Sequence, residues 1–292
     1  MSQLFEALQR SEAERTGATV QAPAVATELL HAAEKETVAF PQFRKATLSL
    51  TAASRMVSLT TLESLGAEKF RFLAVRLRQM QQAKSLKRVL ITSTIAEEGK
   101  SLIATNLAVT LARRRQKVVL IEGDLRRPTI VDALGLGRLE GLCEALQADV
   151  DPLKNVYHLE EAKLWFLPAG RPPESPLELM QTSRLPELLD RLSALFDWVL
   201  IDSPPILPLA DTTVWSRFAD GVLLVAREGK TEKQPLKRGI EALGRTNLLG
   251  VVLNSSANVD HSNYYQRYGG SALKKHHGSK DQGQPPDPKA GL

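Results

Sequence analysis

Residues 89–111 read VLITSTIAEEGKSLIATNLAVTL, and this stretch decides the fold. The apolar run inside Arg88–Ser93 has the length and character of a buried strand. Thr94–Gly99 forms a loop. From Lys100-Ser101 onward, Leu102, Ile103, Leu107 and Leu111 recur at the spacing of an amphipathic helix. A strand, a loop closed by Gly-Lys-Ser and a helix are the setting of a phosphate-binding loop. The helix N-terminus offers unpaired N–H groups and the positive end of its dipole to an anion. Gly99 lets backbone approach the phosphates, Lys100 would reach the β and γ oxygens, and the Ser101 hydroxyl would hold Mg²⁺. Glu98, Gly99, Lys100, Ser101 and Leu102 are therefore the candidate nucleotide-binding residues of the loop. One position departs: the pattern G-x-x-x-x-G-K-[ST] expects Gly where Thr94 stands. Gly-Lys-Ser by itself is a common triplet, so the rest of the chain must choose between a nucleotide site and a surface lysine.

The chain has 292 residues, enough for one large α/β domain with extensions or for two small domains. Its 43% hydrophobic and 24% charged content are those of a globular protein with ample core material. A single cysteine, Cys143, excludes an internal disulfide framework and a multi-cysteine zinc site. The five histidines are scattered without metal-ligand spacing. The net charge of +5 suits polyphosphates or an acidic membrane surface, and nothing in the sequence asks for a nucleic-acid partner. No apolar run approaches the ~18 residues of a membrane span, and no signal-peptide core opens the chain. The expectation is a cytoplasmic protein that reaches the membrane only through a partner.

Around the central stretch the chain alternates. Strands are predicted at 88–93, 117–122, 163–168, 198–202, 221–227 and 248–254, with helices at 101–115, 175–195 (one helix or two) and 233–245 and another at 64–82. Continuous apolar strands such as VVLI and WVLI imply burial on both faces. The alternation predicts a doubly wound, mostly parallel sheet, an α/β fold. Residues 1–60 read as an arm and linker, with an amphipathic helix over 1–17 and a helical tendency near 25–36. Residues 61–256 read as the domain and 257–292 as a disordered tail.

In such sheets ligands gather at the carboxyl ends of the strands. The ends are polar in the right way. The strand after Lys117 closes on Glu122-Gly123-Asp124-Leu125-Arg126-Arg127-Pro128, the WVLI strand on Asp202-Ser203-Pro204-Pro205, and the last on Asn254. A hard anion on a rigid strand end is what organises Mg²⁺ beside phosphates. Three convergent ends in this context favour an ATPase site, and the absence of G-x-G-x-x-G after any strand disfavours a nicotinamide dehydrogenase. The tail holds Tyr264, Tyr265 and Tyr268 in HSNYYQRYGG, against one other tyrosine, Tyr157. Either these rings pack on a surface or their phenols accept phosphate.

Together these residues resemble the bacterial tyrosine kinases of polysaccharide export, the CpsD/CapB-type autokinases, within the deviant-Walker P-loop group that includes MinD and ParA. The likeness spans about Glu68–Asn254. It is carried by TSTIAEEGKSLIATNLA, LIEGDLRRP, FDWVLIDSPPILPLAD, LPAGRPPESPLELM, ADGVLLVAREGKT and LLGVVLN, and the tyrosine-bearing tail agrees in composition. The resemblance implies a P-loop NTPase fold, ATP and Mg²⁺, and ATP-dependent tyrosine autophosphorylation between subunits. It implies catalytic Lys100, Glu122, Asp124 and Asp202, Mg²⁺ held by Ser101, Asp202 and Asp124, and adenine met by Asn254. Glu122 and Asp124 would orient and deprotonate the phenol of Tyr264, Tyr265 or Tyr268. Arg126 and Arg127 would meet phosphate or a neighbouring subunit. The implied partner is the cytoplasmic segment of a membrane polysaccharide co-polymerase of the Wzz/CapA kind, and the implied assembly a homo-oligomer. Two alternatives stand beside it: a MinD/ParA-like nucleotide switch, and a scaffold that binds nucleotide weakly. Four positions depart from the family pattern. Ala96-Glu97 replaces Pro-Gly in the loop, Glu122 replaces Asp, and Ala74 replaces the second Arg of Glu-x-x-Arg-x-x-Arg begun by Glu68 and Arg71.

Overall fold

The computed structural model describes residues 40–51, 54–147, 151–207, 210–244 and 248–255. The chain divides between Gln42 and Phe43, and the sheet lies in the unit that begins at Phe43. Its strands are β1 (Arg44–Lys45), β2 (Arg88–Ser93), β3 (Val118–Glu122), β4 (Tyr157–Leu159), β5 (Leu164–Leu167), β6 (Trp198–Asp202), β7 (Gly221–Arg227) and β8 (Leu248–Asn254). The sheet order is β1-β4-β5-β3-β6-β2-β7-β8. Every pairing from β5 to β8 is parallel. Only β4 turns against its neighbour, antiparallel to β5, and β1 follows it in parallel. All six predicted strands are present, within a residue at each end.

The helices are α1 (Val57–Thr60), α2 (Leu65–Ala83), α3 (Lys100–Ala112), α4 (Ile130–Leu134), α5 (Leu142–Gln147), α6 (Pro176–Met180), α7 (Arg184–Leu195), α8 (Asp211–Phe218) and α9 (Lys233–Leu243). They cover both faces of the sheet. One face carries α1, α2 and α3 over Val89, Ile91, Val118, Leu120, Trp198 and Leu200. On the other, α7 and α8 lie against β6 and β2. Strand β2 sits between β6 and β7 with Val89–Ser93 shut off from solvent. The loop that follows it therefore leaves from the middle of the sheet, where neighbouring strand ends surround it.

Helix α3 is not amphipathic as its spacing suggests: Ile103–Ala112 are buried without a break. The sheet covers one side and α1 and α2 the other, and a helix apolar all round belongs in such a sandwich. Its polar side chains are satisfied internally. Thr105 Oγ1 donates to the Ser101 carbonyl at 2.8 Å. Asn106 Nδ2 donates to the Leu102 carbonyl at 3.0 Å, while its Oδ1 accepts the Ser58 N–H at 2.9 Å. Thr110 Oγ1 and Ser58 Oγ lie 2.9 Å apart.

One expectation needs correction. The arm and linker read over 1–60 belongs to the domain from Phe43 on. Arg44 and Lys45 pair with Tyr157 and His158, and Ala46, Leu48, Leu50, Met56 and Leu59 pack on the core. The domain therefore begins earlier than residue 61. The signal was the alternation Ala46, Leu48, Leu50, a two-residue period that marks one buried face of extended chain. Of the two readings of 175–195, the structure has the second, two helices, α6 and α7. The helices read over 1–17 and 25–36, and the tail with Tyr264, Tyr265 and Tyr268, lie outside the described residues.

Candidate active site

The loop from β2 to α3 is shaped by its own acids and by one glycine. Gly99 caps α3 in the left-handed region, φ 93°, where a Cβ would also strike the Asn254 carboxamide. The first intrahelical bond runs from the Ile103 N–H to the Gly99 carbonyl at 3.0 Å. The N–H groups of Lys100, Ser101 and Leu102 thus form the open first turn of a helix of thirteen residues, the arrangement that receives anions. Glu97 is also left-handed, φ 63°, at the position where the family pattern has Gly. For a residue with a Cβ this costs about 1–2 kcal/mol. The chain keeps the conformation that glycine would provide and replaces its ease with contacts.

Glu98 is wholly buried. Its Oε2 accepts the N–H groups of Thr94 and Ile95 at 2.7 and 2.9 Å, and the Thr231 hydroxyl donates to Oε1. Its side chain therefore holds the loop rather than reaching into the site. Asn254 Nδ2 donates to the Glu98 carbonyl at 2.9 Å, and its Oδ1 accepts the Ser255 N–H at 2.8 Å.

The charged centre follows at the start of α3. Lys100 Nζ lies 3.0 Å from Asp124 Oδ2, 3.8 Å from Asp202 Oδ2 and 3.3 Å from Ser101 Oγ. Burial alone would pull its ammonium down, but Asp202 and Asp124 outweigh burial and hold it above the usual lysine value. Ser101 Oγ donates to Asp202 Oδ2 at 2.6 Å. Asp202 is 1% exposed, and burial pushes its carboxyl up to about 6 against the opposing pull of Lys100 and Ser101. Its second oxygen, Oδ1, is buried without a hydrogen-bond partner. An orphaned carboxylate oxygen beside a serine hydroxyl is a hard-oxygen pair, and it fits a hard divalent cation that brings phosphate and water as its other ligands. Among the described residues no group of three or more His, Cys, Asp or Glu side chains could enclose a metal alone, which agrees with a cation shared with a phosphate.

Asp124 is positioned by its own loop: its Oδ1 accepts the Arg127 N–H at 3.1 Å while Oδ2 faces Lys100. That loop is pressed against β6. The Gly123 N–H donates to the Asp202 carbonyl at 2.7 Å, and a Cβ at Gly123 would come within 2.9 Å of that oxygen and of the Trp215 ring. The Trp215 indole N–H donates to the Gly123 carbonyl at 3.1 Å. Only glycine fits between them.

Glu122 is placed otherwise than its sequence position suggests. Its Oε1 accepts the Thr129 and Ile130 N–H groups at 2.7 and 2.5 Å, and its Oε2 accepts the Ala169 N–H at 3.2 Å. Burial pushes its carboxyl up, with these backbone donors opposing. Both carboxylate oxygens are thus taken by backbone of the segment entering α4 and of the loop after β5, so Glu122 fastens two loops, while its charge still acts on Lys100 and Asp202. Arg126, read as a phosphate or subunit contact, is bound to Asp211 through Nε at 2.7 Å and Nη2 at 3.1 Å.

Known proteins match this chain at similar length. Tyrosine-protein kinase YwqD of Bacillus subtilis is 36% identical over 211 residues, 72% of this chain and 89% of the relative. The chain belongs to the bacterial tyrosine kinases. Within this tyrosine kinase family it is 30% identical to the putative tyrosine-protein kinase CapB of Staphylococcus aureus, over 70% of this chain and 90% of CapB. No family model matches it. Two solved structures are similar. The kinase domain of Escherichia coli ETK has a TM-score of 0.66 at 25% identity, covering 72% of this chain and 88% of that one. The chimerical protein CapA2B2 has a TM-score of 0.65 at 28% identity, covering 76% and 97%. MinD of Pyrococcus horikoshii, at 23% identity and a TM-score of 0.50, shares the P-loop fold. The chain is thus a tyrosine kinase of the P-loop NTPase fold.

Of the site residues read from sequence, the structure brings together Gly99, Lys100, Ser101, Asp124 and Asp202, with Leu102 in the same open turn. It holds Glu98 and Asn254 to the loop backbone and Glu122, beside Asp202 in register, to the backbone of two further loops. Sequence reasoning missed Thr231, Asp211 and Trp215. The two motifs ending in Asp211 and Thr231 already pointed at those two residues, but their partners lie 85 and 133 positions away. In α2, Ala74 is buried in the core, so an arginine there would need a different packing of that helix. Glu68 and Arg71 pair with each other on the surface. No helix of the described residues is long and apolar enough to cross a membrane.

Proposed function

We propose that this kinase uses ATP and Mg²⁺ to phosphorylate tyrosines of its own kind of chain, at Tyr264, Tyr265 and Tyr268. The observation that carries the reading is the cluster of Lys100, Ser101, Asp124 and Asp202 at the open end of α3. The Lys100 ammonium and the loop N–H groups hold the β and γ phosphates. Ser101 and Asp202 would hold the cation, which when bound would neutralise charge on the transferring phosphoryl group. Asp124 accepts a hydrogen bond from the acceptor phenol. A free tyrosine keeps its proton to about pH 10, so a base within reach is needed. As the phenolic oxygen bonds to the γ phosphorus and the bond to ADP breaks, that proton passes to Asp124. Asn254 meets the adenine from the end of β8.

The chain's other tyrosine, Tyr157, is buried in β4, which favours the three tail tyrosines as acceptors. Transfer between subunits needs a homo-oligomer. Similarity to CapB and to the CapA2B2 chimera supports an activator of the CapA or Wzz kind. This is a membrane polysaccharide co-polymerase whose cytoplasmic segment recruits the kinase to the inner membrane face. The biological role is control of exopolysaccharide or capsule chain length and export. No nucleic acid takes part.

The test is incubation of the full chain with ATP and Mg²⁺, followed by phosphotyrosine mapping by mass spectrometry. Phosphate is expected on Tyr264, Tyr265 and Tyr268 and none in Lys100→Met. Hydrolysis without phosphotyrosine would mean a nucleotide switch, and no nucleotide binding a scaffold. Phosphotyrosine that persists in Lys100→Met would overturn the active-site assignment.

A further inference from the structure

The loop between β2 and α3 is gripped from outside by a turn, at the end of the motif ADGVLLVAREGKT, to which sequence reading assigned no role. The turn Arg227–Thr231 follows β7. It closes on itself through the Lys230 and Thr231 N–H groups, which donate to the Arg227 carbonyl at 3.1 and 2.8 Å. The Glu228 N–H ties it to the Asn254 carbonyl at 3.0 Å. Two neighbouring acids of the phosphate loop reach this one turn. Glu98, buried, receives the Thr231 hydroxyl. Glu97, exposed, pairs with Lys230 Nζ at 2.7 Å, and its carbonyl accepts from Arg227 Nη1 at 3.3 Å.

The Thr231 hydroxyl is committed on both sides. It accepts the Arg227 N–H at 2.7 Å and donates to Glu98. Glu98 in turn holds the N–H groups of Thr94 and Ile95. A continuous chain of hydrogen bonds therefore runs from the backbone of β7, through one hydroxyl and one buried carboxylate, into the start of the loop. The outer contact holds the loop where Glu97 occupies the left-handed region without glycine's ease. The two contacts fall on that bend and on the residue after it, and the first helical turn begins at Lys100, three residues beyond the bend.

We propose that Arg227–Thr231 is a latch that preorganises the phosphate loop. Thr231 is its positioning residue, acting on nucleotide through Glu98, and Lys230 is its outer, salt-sensitive half. This rests on reading the loop as the nucleotide site. Preorganisation lowers the ordering cost at the moment of binding, so release of the latch weakens nucleotide binding before it alters any chemistry.

The test titrates ADP with Mg²⁺ into the full chain by calorimetry, a measurement that needs no turnover. Thr231→Val keeps the shape and removes the hydroxyl. It is expected to weaken ADP about tenfold, the range of a hydrogen bond to a charged group, while Thr231→Ser stays within about twofold of the parent. Lys230→Ala, on the surface, is expected to weaken ADP about twofold at low salt and not at all near 1 M salt. Because it leaves the interior untouched, it keeps the test open if Thr231→Val folds poorly. Thr231→Val that binds ADP like the parent, Thr231→Ser that loses as much as Val, or a Lys230→Ala loss that ignores salt would overturn the latch. Normal ADP effects without any phosphotyrosine would instead strike the autokinase reading and leave the latch standing.

Discussion

Glu122 and Asp202 end adjacent strands and face each other in register. Both are buried, both follow four apolar residues, and burial raises the carboxyl of each. Their surroundings separate them. Glu122 is saturated by three backbone N–H groups from two loops. Asp202 has one oxygen on Ser101 and one with no hydrogen-bond partner among the described residues. An acid whose lone pairs are spent on backbone maintains the fold, and an acid left short of partners in a polar cleft is available to a ligand. The comparison assigns opposite work to two residues that a motif scan would treat alike.

Replacing the short-handed acid should have the largest effect. Asp202→Asn is expected to lower the initial rate of phosphotyrosine formation by about 10²–10³-fold, the scale of losing one electrostatic contact to the transition state. Glu122→Gln, judged by the same assay per folded molecule, should stay within about tenfold of the parent. Reversed ranks would break the comparison.

The next effect is on stability, and its sign is unusual for an acid. The Asp202 carboxyl moves from 3.8 in its ordinary state to about 6 in the folded protein. Between those values the native state binds more protons than the unfolded state, so stability falls as pH rises. The contribution is complete below the lower value and lost as pH climbs through about 6. Without nucleotide, Asp202→Asn should therefore be more stable than the parent at pH 7.5, by up to about 3 kcal/mol. Urea unfolding should show the gap closing by pH 4. A gap constant with pH would remove the argument that this carboxylate is held at a cost.

Smaller effects belong to the saturated acid. In Glu122→Gln an amide nitrogen confronts a backbone donor, and urea unfolding should show a loss of about 2 kcal/mol. Glu122→Asp, the family's usual residue, is shorter and should give up part of the grip on Thr129, Ile130 and Ala169, costing about 1 kcal/mol. An unchanged midpoint in both would mean that the three bonds contribute nothing.

Most of the sheet was legible because its strands are runs of Val, Leu and Ile with polar ends, and Lys100, Ser101, Asp124 and Asp202 were legible because they sit at those ends. β1 and β4 were not: two and three residues carry no periodic signal, and only the pairing partner makes them strands. Short helices such as α4 and α5 hide for the same reason. The role of Glu122 was illegible because it depends on where the N–H groups of two distant loops fall. Glu97 shows the limit from the other side. Its side chain reads as a break with the family loop, but its backbone adopts the conformation that the family's glycine would supply.

The pairing of Lys100 with Asp124 and Asp202 has a consequence for how nucleotide arrives. The resting protein already contains an anion for its lysine, so an incoming polyphosphate does not fill a vacant charge but displaces a resident one. On the function proposed above, binding would be an exchange of partners, in which Asp124 gives up the ammonium as the phosphate takes it. The event that seats ATP would then free the carboxylate proposed to take the phenol's proton, so base and substrate would be readied in one step.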